Sequence, residues 1–177
     1  MIKFMVLGGP RSATTWVANW LTTETTMCLH DPLIEYTLRN LDVMTIPGKE
    51  IGISCTSTLL FPEWFLKHPA KKIILYREPS EINASLAALG LKDLDVRAHN
   101  ARVHGAIKAG IEFWHWEALF DPFTSRKIWE YLLPRVPFDE YRHHLLTQMN
   151  VQPQWKRLPV AKEAVRDLVK RFNEVMR

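Results

Sequence analysis

Cysteine is scarce in this sequence, and long apolar runs are absent. Only Cys28 and Cys55 occur in 177 residues. They lie far apart and form no C-x-x-C pair, which argues against a zinc or thiol-redox motif. Unpaired thiols suit a reducing compartment, so a cytoplasmic location is expected. No stretch reaches the ~18 consecutive apolar residues of a membrane span. The apolar run at the N-terminus is too short for the core of a secretion signal. Clusters of Lys and Arg are lacking too: no run of five exists, although the net charge is +4 and the pI about 9.1. Nucleic-acid and membrane partners are therefore not expected, whereas a small anionic ligand is favoured.

What is present is an ordinary globular balance, 47% hydrophobic and 24% charged, in a length that suits one domain over residues 1–177. Short apolar runs alternate with helical patterns. "IKFMVLGG" and "KKIILYRE" read as buried strands, and "TMCLH" and "EIGISC" as further ones. "TTWVANWLTTE" spaces Trp16, Val17, Trp20 and Leu21 as a helix does. "PLIEYTLRNL" reads as one helix with Pro32 in its first turn, and "TLLFPEWFLKH" as a helix interrupted by Pro62. "PSEINASLAALG" is a helix from Pro79 closed by Gly90, and a polar helix is expected over 93–108. "IEFWHWEALF" reads as a strand. Helices follow in "TSRKIWEYLL", "FDEYRHHLLTQM" and the amphipathic "AKEAVRDLVKRFNEVM". This alternation predicts a three-layer α/β sandwich of the P-loop type. Its central sheet would be mainly parallel, with about four or five strands flanked by helices.

The sharpest local signal is "GGPRSATTW", residues 8–16, between the first strand and the first helix. A nucleotide-binding loop of the form G-x-x-x-x-G-K-[ST] uses its Lys on the β- and γ-phosphates. Here Gly8 starts that frame, Ala13 replaces the last glycine, and Thr14 stands where the Lys belongs. The only cation is Arg11. Backbone N–H groups at a strand–helix turn, hydroxyls on Ser12, Thr14 and Thr15, and a planar guanidinium form a donor set for an anion. The simpler alternative is a tight turn whose polar residues cap the helix.

The stretch "PRSATTW" resembles the 5′-phosphosulfate loop of sulfotransferases that use 3′-phosphoadenosine 5′-phosphosulfate (PAPS). That loop runs P-[KR]-S-G-T-T-[WL]. The resemblance implies that Gly9, Pro10, Arg11, Ser12, Ala13, Thr14, Thr15 and Trp16 bind the cofactor. Ala13 in place of glycine is tolerable at a helical φ/ψ, since only a positive φ would demand Gly. The family's second signature is a strand ending in Arg, a Pro-containing turn and a Ser on the next helix. "ILYREPSEINASL" resembles it, with Arg77 and Ser85 eight residues apart, and implies a 3′-phosphate site. "WHWEALFDP" faintly resembles the family's Y-E-D-L segment. The family's Gly-rich basic closing loop has no evident counterpart, so either the nucleotide is less enclosed or Arg97, Arg102, Arg126 or Lys127 supplies the contacts.

The resemblance implies sulfuryl transfer from PAPS to a hydroxyl or amine of a small-molecule or glycan-type acceptor, leaving adenosine 3′,5′-bisphosphate (PAP). Sulfuryl groups carry less charge than phosphoryl groups, so no metal is expected, and Arg11 would stabilise the leaving oxygen. The main rival is a P-loop nucleotide kinase or related phosphotransferase. Its Mg²⁺ needs an acidic residue at a strand end, where this chain's best strand ends in Arg77. A non-catalytic nucleotide-binding relative is the other alternative. A general base is expected on the acceptor side. The position where cytosolic members carry His holds Cys55 here; other members place a carboxylate just after the second strand, and the resemblance of "LHDPLIEY" to that segment implies Asp31 first, with His30 and Glu35 as alternates. His99, His104 and His115 read as surface or packing residues.

Overall fold

The computed structural model describes residues 1–91 and 96–149. The "AKEAVRDLVKRFNEVM" helix, and the start of the helix expected over 93–108, lie outside the described residues. The order is β1 (Ile2–Gly8), α1 (Thr14–Trp20), β2 (Thr26–His30), α2 (Leu38–Val43), β3 (Glu50–Cys55), α3 (Pro62–Lys67), β4 (Lys71–Tyr76), α4 (Pro79–Ala88), α5 (Arg97–Lys108), β5 (Glu112–His115), α6 (Pro122–Leu132) and α7 (Glu140–Gln148). Single 3-10 turns cover Pro32–Ile34, Ser57–Leu60 and Trp116–Phe120.

The five strands form one sheet in the order β2-β3-β1-β4-β5, and every pairing is parallel. β1 is central because it is apolar on both faces, with Lys3 alone exposed at its start. Phe4 and Val6 face one layer with Ile73 and Leu75, against Trp16, Trp20, Ile128 and Trp129 from α1 and α6. Met5 and Leu7 face the other with Ile53 and Ile74, against Leu41, Phe65, Val103 and Ala106 from α2, α3 and α5. Helices thus cover both faces of the sheet, as the alternation predicts. Gly52 of β3 is required by its neighbour: a β-carbon there would sit 2.0 Å from the Phe4 ring. Among the described residues no helix is long and apolar enough to cross a membrane.

Two expected helices are divided. Pro32–Ile34 forms a 3-10 turn, and α2 starts afresh after Thr37, whose extended backbone and hydroxyl cap the amide of Asn40. Ser57–Leu60 is likewise a separate turn before Pro62 opens α3. "IEFWHWEALF" is a strand only over Glu112–His115 and then a 3-10 turn.

The chain leaves β1 over the α1 face, and the connection after β4 brings α5 to the opposite face. β1 and β4 are neighbours. Connections diverging from adjacent strands open a crevice at their carboxyl ends, the usual ligand position in open α/β sheets.

Candidate functional site

The loop after β1 is shaped by close approach. A β-carbon on Gly9 would lie 2.9 Å from Ile82 Cδ1 and 3.4 Å from Ser12 Oγ, so no larger residue fits without movement. The Ser12 amide donates to the Gly9 carbonyl at 3.2 Å and closes the turn. Arg11 (φ 66°) and Ala13 (φ 61°) both adopt the left-handed conformation. Ala13 therefore does not meet the condition of a helical φ/ψ under which it would replace glycine at no cost. Its methyl group is held where glycine is favoured, because the chain must reverse before α1 can start. Ala13→Gly should raise stability by roughly 0.5–1 kcal/mol, read as a higher urea midpoint at unchanged slope. A lower midpoint would show that the loop prefers the rigidity of alanine.

α1 has only seven residues, so its dipole is small and charge at the loop must come from side chains. Arg11 and Arg77 supply it. Arg77 follows β4 and donates from Nη1 to the Arg11 carbonyl. Arg11 donates from Nε to Ser85 Oγ at 3.0 Å, across 74 residues of sequence. The structure thus joins the loop to the Arg77–Ser85 pair. Burial, and then the charge of Arg77, push the Arg11 pKa down. Two guanidiniums held together in partial burial favour an anionic ligand. Ser12 is fully buried, and its hydroxyl has no hydrogen-bond partner among the described residues. Thr14 is buried and Thr15 exposed.

On the far side of the loop, the carboxyl end of β2 presents His30. Its Nε2 lies 3.3 Å from Thr14 Oγ1, 3.1 Å from Thr15 Oγ1 and 3.2 Å from Asp31 Oδ2. Asp31 is left-handed at φ 43°. Its Oδ1 accepts from the Thr56 amide at 2.7 Å and the Thr56 hydroxyl at 3.1 Å, which fixes it to the end of β3. Of the three acceptor-side candidates, His30 touches the loop, Asp31 braces His30, and Glu35 is exposed with no hydrogen bond or ion pair to the loop. Cys55 is buried 3.2 Å from Ser57 Oγ. Burial, then Asp31, push its thiol pKa up, so it stays protonated and is no base.

Trp16 points into the core. It is 5% exposed, packs on Trp20 with ring centroids 5.2 Å apart, and gives its indole N–H to the Leu146 carbonyl at 2.9 Å. It supports the loop from beneath. Arg126 pairs with Glu140, and Lys127 lies over the Phe123 ring at 4.3 Å, both on α6. Arg97 and Arg102 are on α5.

Sequence reasoning missed three contributors. His99, read as surface or packing, is completely buried at the floor of the loop, with Nε2 3.5 Å from where a Gly9 β-carbon would stand. Burial, then Arg102, lower its pKa to about 4, so the imidazole there is neutral near pH 7. Glu81 and Trp116 enclose Arg77. The guanidinium lies 4.2 Å from the Trp116 ring centre, and its Nε is 3.5 Å from Glu81 Oε2. Arg77 precedes α4 and Glu81 lies in its first turn, so neither the Arg77–Glu81 pairing nor His99 had a local signal. Among the described residues no cluster of three or more His, Cys, Asp or Glu forms a metal-binding group. A cleft of about 450 Å³ lined by Met1, Asp42, Trp64 and His68 lies at the amino ends of β1 and β4, away from the loop. No protein-family model, curated protein or solved structure matches this chain, so the site stands on its own chemistry.

Proposed function

We propose that this chain is a sulfotransferase that moves a sulfuryl group from PAPS to a hydroxyl or amine of a small-molecule or glycan-type acceptor and releases PAP. The observation that carries the reading is the joining of Arg11, Arg77 and Ser85 into one cationic site beside the loop. A buried, unpaired Ser12 hydroxyl and two adjacent guanidiniums fit an anionic group with two phosphate positions. PAPS supplies the activated sulfuryl group when bound. Gly9, Pro10, Ser12, Ala13, Thr14 and Thr15 form the cradle for its 5′ end, and Arg77 and Ser85 hold the 3′-phosphate. Arg11 stabilises charge on the leaving oxygen. His30 takes the acceptor proton and Asp31 orients it, a reordering of the sequence expectation motivated by the contacts of His30 with the loop hydroxyls. A cytoplasmic location accompanies the reading, in keeping with two buried, unpaired cysteines.

The first test is thermal stabilisation by PAP, AMP and ATP side by side. PAP should shift the melting temperature well beyond AMP, following RT ln(1 + [L]/Kd). Arg77→Ala should erase that difference, because it removes a charged contact worth ~1.5–3 kcal/mol. Equal shifts for PAP and AMP in the parent protein would remove the 3′-phosphate site. A dominant ATP response with Mg²⁺-dependent turnover would instead make the chain a phosphotransferase, and PAP binding without transfer to any acceptor a non-catalytic relative.

A further inference from the structure

Arg77 is held on three sides. Nη1 is engaged by the Arg11 carbonyl, one face lies on the Trp116 ring, and Nε faces the Glu81 carboxylate. Glu81 is itself anchored, since the Trp116 indole N–H donates to Oε2 at 3.3 Å. Trp116 is braced in turn by Phe120, whose ring packs edge-on at 5.6 Å, and Phe120 packs on Trp16 just behind the loop at 5.6 Å. A closed chain of contacts therefore runs from the loop through Arg77, Trp116 and Phe120 back to the start of α1. Glu81 is the acidic group in that chain. The Arg77 side chain is 16% exposed and that of Glu81 42% exposed, so their attraction is partly screened.

We propose that Glu81 is a specificity-determining residue of the anion site, a built-in counter-ion that competes with the bound anion for Arg77. The proposal rests on the two-arginine anion site described above. Without Glu81, the Arg77 guanidinium would face the ligand with no carboxylate at its Nε. With it, the Arg77 position is weakened as an anion site while its guanidinium stays aligned against Trp116. The carboxylate thus lowers affinity for any group held at Arg77, product included, and favours release after transfer. Trp116 is a positioning residue in this arrangement: it fixes the carboxylate through its N–H and the guanidinium through its ring.

Glu81→Gln separates charge from position. The amide oxygen can still accept from the Trp116 N–H, and the Trp116 ring still carries the Arg77 guanidinium, so alignment is kept while the negative charge is lost. Calorimetric titration with inorganic pyrophosphate, PAP and AMP should show pyrophosphate and PAP binding tightened about three- to fivefold in Glu81→Gln, the scale of a partly exposed charge pair. AMP should change little. In an Arg77→Ala background the same substitution should have no effect on pyrophosphate, because the guanidinium for which the carboxylate competes is gone. Unchanged or weakened pyrophosphate binding in Glu81→Gln would overturn the proposal, as would an equal gain in the Arg77→Ala background. If pyrophosphate tightens through Arg77 while the parent does not prefer PAP to AMP, the counter-ion stands and the PAPS reading falls. If PAP is preferred but Glu81→Gln gains nothing, the PAPS reading stands and the counter-ion falls.

Discussion

If this chain is the proposed sulfotransferase, Arg11→Ala will cost it turnover before it costs it its ligand. Contacts that do not depend on a ligand help to place the residue: its Nε bonds Ser85, and its own carbonyl is held by Arg77. A preplaced charge stabilises best what develops late, which on the proposed reaction is the negative charge on the oxygen that leaves as the sulfuryl group departs. The expected loss in kcat is about 10²–10³-fold, the scale of deleting one preorganised donor at a developing oxyanion. PAP binding should weaken by only about tenfold, since the loop amides, hydroxyls and Arg77 remain. Arg11→Lys should recover part of the binding and little of the rate, because a lysine cannot reproduce the planar fork. Both quantities are to be measured on the same preparation, with unfolding midpoints compared, since residue 11 has a positive φ. Equal losses in rate and binding would make Arg11 a simple anchor. Turnover should survive EDTA; its loss and recovery with Mg²⁺ would point to phosphoryl chemistry.

The strands were legible because burial on both faces demands continuous apolar sequence, which "IKFMVL" and "KIIL" provide without ambiguity. Parallel order followed from the alternation with helices. The break in "TLLFPEWFLKH" was legible at Pro62, but the one in "PLIEYTLRNL" was not. A capping Thr37 inside "PLIEYTLRNL" resembles any polar residue on a helix face until its side chain is seen to accept from Asn40. Within the site, the Arg77–Ser85 spacing could be read because both lie on one strand–turn–helix unit. The Arg11–Ser85 bond needed β1 and β4 to be neighbours, a tertiary fact. Trp16 shows the opposite lesson. Its helical spacing with Trp20 marked it as core, and the structure packs it there, with α7 bringing the Leu146 carbonyl to its indole N–H. Ala13 is the local rule that fails: a left-handed position filled by a residue with a β-carbon, in the one loop that chemistry needs to be tight.

His30→Gln will produce the other large loss, about 10²–10⁴-fold in kcat with PAP affinity nearly unchanged, if His30 is the general base. The ring reaches the loop through Nε2, the atom also nearest Asp31, so the proton it accepts is taken beside Thr14 and Thr15 and balanced by a carboxylate 3.2 Å away. Asp31→Asn is a clean partner variant. Asparagine tolerates the left-handed backbone at φ 43°, and its Oδ1 can keep the bonds from Thr56. Its loss should be smaller than that of His30→Gln, because Asp31 acts through the imidazole rather than on the acceptor. The double variant should be no worse than His30→Gln alone, since two groups acting as one unit are not additive. Glu35→Gln and Cys55→Ser should keep the parent rate, the first because Glu35 is remote from the loop contacts and the second because the Cys55 thiol is held neutral by burial. The comparison needs an identified acceptor and matched unfolding midpoints. A collapse in Asp31→Asn with His30→Gln still active returns the base to the carboxylate. A collapse confined to Cys55→Ser would mean that the end of β3 carries the chemistry and that His30 only ties down the loop.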